Sequence, residues 1–326
     1  MIEGHGDDTY RYRNIRLNFS SNIPVNANLS ELEEYLSSRM SVIRSYPEPE
    51  SYALEAIIAH SIEENGKEVI VTSGATEAIY LIAHSVFLSH HKDVLSPSYT
   101  IIHPTFSEYE AACQMYGFRD SKEGRSNVCW LCNPNNPTGE LYDEAYVREL
   151  SAQHDLLVID QSYEDYTSSP MPSLEGLPNV ITLHSMTKKY CVPGLRLGYM
   201  VAPVSIADSI RACMRPWSVN ALAIEAGLWL LEQPVTDNSA LLAETQRLRI
   251  ALNSIRGIKA YATQTNFILC TIEGHTAAEL KDYLVTQHGI LIRDASNFRG
   301  LTPHHFRVST QSHEANEQLV HAIASY

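Results

Sequence analysis

The feature that most constrains this chain is a rhythm. From about residue 67 to residue 232, short apolar or β-branched runs take turns with longer stretches of helical period. The runs Glu68–Thr72, Val94–Ser96, Val128–Cys132, Leu156–Asp160, Val180–His184 and Leu195–Val201 predict strands. Between and after them, Ala75–Leu88, Ser107–Tyr116, Asp143–Gln153, Ser205–Met214 and Ala221–Glu232 predict helices. A strand covered on both faces loses its polar–apolar alternation, so the pattern implies an α/β fold with a mostly parallel sheet flanked by helices. The rhythm stops near Pro234. Beyond it come an amphipathic stretch to about Ile255, a strand at Asn266–Ile272, a helix at Thr276–Gln287, strands at Ile290–Arg293 and Phe306–Ser309, and a closing helix. The expected organisation is an N-terminal arm over 1–28, a large domain over 29–234 and a smaller α+β domain over 235–326. At 326 residues and 44% hydrophobic, the chain can bury cores of that size.

Composition removes several classes of function. Against 38 Asp and Glu stand 24 Lys and Arg, giving a net charge of −14 with no basic block, so no nucleic-acid partner is expected. The longest apolar stretch, Ala78–Leu88, is broken by His84 and Ser85, and no membrane span is expected. The opening MIEGHGDDTYRYR carries neither an apolar export core nor an Arg/Ser-rich import pattern, which points to the cytoplasm. Six cysteines in such a chain should stay reduced. Cys129 and Cys132 form a lone CxxC, but strand alternation sends positions three apart to opposite faces. HExxH, GxSxG and GxxxxGK[ST] are missing, and no metal site is expected.

In open α/β sheets ligands collect beyond the carboxyl ends of the strands, and four stretches there carry chemistry. The first is Ser185-Met-Thr-Lys188-Lys-Tyr-Cys-Val-Pro-Gly-Leu-Arg196-Leu-Gly-Tyr199. A lysine at a strand end can condense with a carbonyl, while Ser185 and Arg196 can both hold a phosphate beside it. The second is Asp160-Gln-Ser-Tyr163. A buried carboxylate keeps a pyridine nitrogen protonated, worth roughly 4 kcal/mol at an effective dielectric of ~20, and the ring can then absorb electrons released from a substrate Cα. Tyr163 can donate to a phenolic oxygen on that ring. The third, Asn133-Pro-Asn-Asn136-Pro-Thr-Gly139, is a frozen turn that aims the Asn136 amide at the same oxygen. The fourth, Thr72-Ser-Gly74-Ala75-Thr76-Glu77, runs from a strand through glycine into a helix whose N-terminus can bind phosphate.

Together these stretches resemble the class I/II aminotransferase family of fold-type-I pyridoxal-phosphate enzymes, over nearly the whole chain. The resemblance implies pyridoxal 5'-phosphate as cofactor, Lys188 as its Schiff-base lysine, Asp160 as the pyridinium partner, and Tyr163 and Asn136 as phenolate ligands. It implies a phosphate cup of Ala75, Thr76, Ser185 and Arg196, introduced by Gly74. It also implies a homodimer with shared sites, in which Tyr46 reaches the partner's cofactor phosphate, and Arg307 as the anchor for a substrate α-carboxylate. An aromatic ring should stack on the cofactor; Phe106 matches the family string, while Tyr99 follows the predicted strand more directly.

Within the family the resemblance narrows to threonine-phosphate decarboxylases, which make aminopropanol phosphate for cobalamin. It rests on His5-Gly-Asp-Asp8, Asn18-Phe-Ser-Ser21-Asn22-Ile, Tyr46-Pro-Glu-Pro-Glu and Leu291-Ile-Arg293-Asp-Ala-Ser-Asn297-Phe-Arg-Gly300-Leu. It implies that His5, Ser21, Asn22 and Arg293 hold the phosphate of an amino-acid phosphate. The arm departs from the family's HGGN/D by placing a carboxylate at Asp7. The alternative expectation is a transaminase, such as one acting on histidinol phosphate.

Overall fold

In the computed structural model, residues 6–24, 27–62, 66–90, 95–122, 124–234 and 236–326 are described. The centre is a seven-stranded sheet. Across it the strands run Lys67–Thr72, Gly198–Pro203, Val180–His184, Leu157–Asp160, Val128–Cys132, Ser98–Ile101 and Arg119–Asp120. Gly198–Pro203 is antiparallel to both its neighbours, and the remaining pairs are parallel. This is the α/β architecture that the apolar rhythm implied.

The strand Val128–Cys132 shows how the sequence dictates the layering. All five residues are buried. Val128, Trp130 and Cys132 enter a core shared with the helices Ala75–Ser89 and Glu108–Met115, while Cys129 and Leu131 pack against Val147 and Leu150 of the helix Glu144–Gln153. A run apolar on both faces is what a strand between two helical layers requires. The CxxC is thereby split between two cores, and both thiols are free. Among the described residues no metal-ligating cluster occurs, and no helix is long and apolar enough to cross a membrane.

The C-terminal region builds a four-stranded antiparallel sheet, Arg293–Asp294, His305–Ser309, Phe267–Ile272 and Ile258–Ala260, covered by the helices Ser239–Asn253, Ala277–Tyr283 and His313–Ala324. Thr276 and Glu279 form a capping box at the start of Ala277–Tyr283, which fixes where that helix begins. The arm belongs to this region. Leu17–Asn18 pairs in parallel with Ile290–Leu291, and Phe19 is fully buried in the same core as Leu248, Ile268 and Phe306.

Several expected boundaries shift. The strand expected at Val94–Ser96 forms instead at Ser98–Ile101, beyond Pro97; Val94 lies outside the described residues. The single run expected at Ile290–Arg293 divides between two sheets. The strand expected from Leu195 begins at Gly198, after a short 3-10 turn at Pro193–Leu195. Two helices absent from the sequence reading, Ser30–Arg39 and Tyr52–Ile62, precede the sheet.

Candidate active site

The parallel strands end on one edge of the sheet, and the antiparallel strand starts there, with Gly198 opposite Thr72. That edge gathers Gly74, Asn136, Asp160, Ser185 and Arg196. Lys188 sits on a short helix, Met186–Lys189, immediately after Val180–His184. Two adjoining cavities of about 160 Å³ and about 200 Å³ open here, and Phe106, Asn136, Tyr163 and Lys188 line both.

The first cavity has an anion-binding end. Ala75 and Thr76, in the first turn of the helix Ala75–Ser89, line it with Ser185 and Arg196. Gly74 holds φ +81°, and a Cβ there would come within 2.6 Å of Arg196 Nη2, so only glycine lets the guanidinium lie against the helix start. Free N–H groups, a hydroxyl and a guanidinium converging on one spot suit a phosphate. Elsewhere in the cavity, Asp160 Oδ1 accepts from the Ser162 backbone N–H at 2.9 Å and Oδ2 accepts from the Tyr109 hydroxyl at 2.6 Å. The Tyr163 hydroxyl accepts from Asn22 Nδ2 at 3.1 Å, and burial pushes its pKa up to about 12. Lys188 Nζ lies 5.9 Å from the Tyr163 ring centre. Loss of hydration, then the charges of Arg307 and Arg196, bring the Lys188 pKa down to about 8, while Asp7 and Asp160 oppose the shift.

The second cavity brings Ser21, Asn22, Arg293 and Arg307 to the same lysine. Arg307, 4% exposed, donates to the Asn136 side-chain oxygen and to Ser20 O at 2.8 Å; its Nε is buried without a hydrogen-bond partner among the described residues. Arg293, 7% exposed, donates to Asn297 Oδ1 at 2.7 Å and lies 5.3 Å from the Phe298 ring centre. Burial lowers both guanidinium pKa values to about 10, which leaves them charged at neutral pH. Among the described residues neither forms a salt bridge. Asp294 and Asp8 act on Arg293 from a distance, but a buried guanidinium without a direct ion-pair partner remains costly unless an anion arrives to pair with it.

Other expected residues fall elsewhere. Tyr99 is 4% exposed and turned into the core, its hydroxyl 3.5 Å from Glu110 Oε1, and it lines neither cavity. It fails as the stacking ring because it lies inside the strand Ser98–Ile101 rather than in the loop beyond it. Tyr46 is 83% exposed and away from both cavities, with its ring 5.1 Å from that of Trp217. His5 lies outside the described residues. Asp7 lines the second cavity and accepts from Asn18 Nδ2 at 2.7 Å. Sequence reasoning missed Ser20, whose carbonyl orients Arg307, and Tyr109, which holds Asp160. Tyr109 had a signal: it stands three residues after Phe106, in the first turn of the helix that follows it.

Taken together, one enclosure offers a primary amine, a buried carboxylate, a phenol and a phosphate cradle. That donor set suits a ring bearing a carbonyl, a basic nitrogen, a hydroxyl and a phosphate, which is the make-up of pyridoxal phosphate. Comparison with known proteins agrees. The chain is 28% identical over 319 residues to a histidinol-phosphate aminotransferase of Caldanaerobacter subterraneus, covering 89% of this chain and 88% of that one. It is also 28% identical over 342 residues to the threonine-phosphate decarboxylase of Salmonella typhimurium, covering 94% and 90%. The crystal structure of L-threonine-O-3-phosphate decarboxylase from Porphyromonas gingivalis superposes with a TM-score of 0.85 at 33% identity, covering 95% of this chain and 98% of that one. Residues 118–323 match the family model "Aminotransferase class I and II", and the chain belongs to that family of pyridoxal-phosphate-dependent enzymes.

Proposed function

We propose that this enzyme decarboxylates L-threonine O-3-phosphate to aminopropanol phosphate, a cytoplasmic step of cobalamin assembly. The observation that carries the proposal is the pair Arg293 and Arg307. Both are buried, neither forms a salt bridge among the described residues, and both line the cavity that holds Lys188. A substrate with a carboxylate and a phosphate supplies one anion to each. Histidinol phosphate, the natural rival, carries one anionic group and an imidazole. The named relatives at 28% identity divide between the two activities, and a transaminase's dicarboxylic amino-group acceptor would also bring two anions to the pair, so the fate of the cofactor in the reaction decides between them.

Bound pyridoxal phosphate supplies an electron sink for the bond broken at the substrate Cα. The chain does the rest. Arg196, Ser185, Thr76 and the first N–H groups of Ala75–Ser89 hold the cofactor phosphate, with Gly74 giving Arg196 its room. Asp160 holds a proton on the ring nitrogen, Tyr163 and Asn136 hold the ring hydroxyl, and Phe106 covers the ring. Arg307 fixes the substrate carboxylate; Arg293, Ser21 and Asn22, with His5, fix its phosphate. Lys188 Nζ, its pKa brought down to about 8, would hold the cofactor through its carbonyl; once displaced by the substrate amine, it or a water would hand a proton to Cα after CO2 leaves. The family pattern makes the working unit a homodimer in which Tyr46 reaches the neighbouring subunit's phosphate cradle, and its exposure suits that role.

The test is to incubate the cofactor-bound protein with threonine phosphate and no keto acid. The expected result is CO2 in proportion to aminopropanol phosphate, with the pyridoxal form retained. Accumulation of the pyridoxamine form would assign the protein to the transaminases.

A further inference from the structure

We propose that Tyr109 is a positioning residue, whose hydroxyl holds Asp160 Oδ2 and so limits how strongly Asp160 draws the proton from the cofactor ring nitrogen. The inference rests on the placement of that nitrogen at Asp160 in the preceding reading.

Tyr109 is fully buried in the first turn of the helix Glu108–Met115. Its ring stacks on Trp130 at 5.3 Å and 10°, and meets Phe106 edge-on at 5.7 Å and 83°. Clamped between two aromatic neighbours, the ring cannot swing, so the direction of its hydroxyl is fixed. The O–H donates to Asp160 Oδ2 at 2.6 Å, in the short range of charge-assisted hydrogen bonds. Burial, then the negative charge of Asp160, pushes the Tyr109 pKa well above its ordinary value, so the hydroxyl remains a donor at every working pH. With the Ser162 N–H on Oδ1, each carboxylate oxygen carries one uncharged donor.

The groups facing Asp160 are few. Cys132 comes from the neighbouring strand, Tyr163 from the loop after its own strand, Lys188 from the helix Met186–Lys189, and Tyr109 from the helix behind. Arg196 lines the same cavity. Of these, Tyr109 donates directly to the carboxylate. Without its hydroxyl, Asp160 is a buried anion with one donor fewer and pulls harder on a shared proton. The ring then carries less positive charge, and the linkage between Lys188 and the cofactor carbonyl keeps its own proton to higher pH.

The experiment titrates the visible absorbance of the holoenzyme and measures the dissociation constant for pyridoxal phosphate, in the parent, Tyr109→Phe, Trp130→Phe and Asp160→Asn proteins. Tyr109→Phe keeps the clamped ring and removes the oxygen. Its absorbance midpoint should rise by about half to one pH unit, with cofactor binding weakened by about three- to tenfold. Trp130→Phe disturbs the packing but leaves the hydroxyl, and its midpoint should stay within about 0.2 unit of the parent. The proposal is overturned if Tyr109→Phe leaves the midpoint in place while Asp160→Asn moves it, or if Trp130→Phe moves it equally. Should Asp160→Asn itself change neither quantity, the placement of the ring nitrogen fails first and the role of Tyr109 falls with it.

Discussion

At the scale of the residue, burial sets what Lys188 can do. Below about pH 8 its amine is charged and cannot attack a carbonyl; above that it is neutral. Capture of pyridoxal phosphate by the cofactor-free protein should therefore accelerate up to about pH 8 and then level off, as stopped-flow absorbance would record. An unperturbed lysine would keep accelerating toward a pH of about 10.4. Stability follows the same window. Between the two values the unfolded chain binds the proton that the folded chain has released, so the cofactor-free protein gains stability as pH rises through it. Lys188→Ala should lose both that gain and the visible band. On the proposed function, the two guanidiniums divide the substrate between them. Arg293→Met should lower kcat/KM for threonine phosphate by about 10- to 100-fold, the worth of a hydrogen bond to a charged group, while sparing any residual turnover of threonine. Arg307→Met should lower both.

Elements explain what the sequence could and could not disclose. Val128–Cys132 and Val180–His184 form where the apolar runs predict, because a strand buried on both faces writes its whole length in apolar residues. Ser30–Arg39 buries only Leu32 and carries three glutamates, so its amphipathic signal is faint. Ile290–Arg293 looks continuous, yet its halves pair with strands near opposite ends of the chain, and no local pattern encodes a partner so distant. The site was legible for a matching reason. Gly74, Asn136 and Ser185 follow strand ends and Asp160 closes one, where chemistry is looked for, whereas Ser20 and Tyr109 act on other side chains and announce little alone. One contact between elements also predicts behaviour. Arg299, two residues beyond Asn297, donates to Glu110 at 3.1 Å and to Asp120 at 3.0 Å, tying the Arg293 segment to the large sheet's side of the molecule. Half exposed, this tie is worth ~0.5–1 kcal/mol, so Arg299→Ala should raise KM about two- to fivefold with kcat little changed in steady-state assays.

For the whole molecule, the first consequence concerns assembly. Trp217 lines a groove with Thr76 and Arg196 of the phosphate cradle, and the exposed ring of Tyr46 rests against it. If two copies join there as proposed, Trp217→Asp should sediment as a monomer and bind cofactor at least tenfold more weakly, a difference of about 1.4 kcal/mol or more. A second consequence concerns time. Leu17 pairs with Ile290, and Phe19 is buried among residues that follow Leu248. A ribosome makes the arm first and its resting place last. Through most of synthesis Phe19 has no core to enter, and Ser20 and Asn22 have no Arg307 or Asn266 to meet. The newborn chain can raise its central sheet early, but the second cavity acquires a wall only once Ser20 and Arg307 both exist.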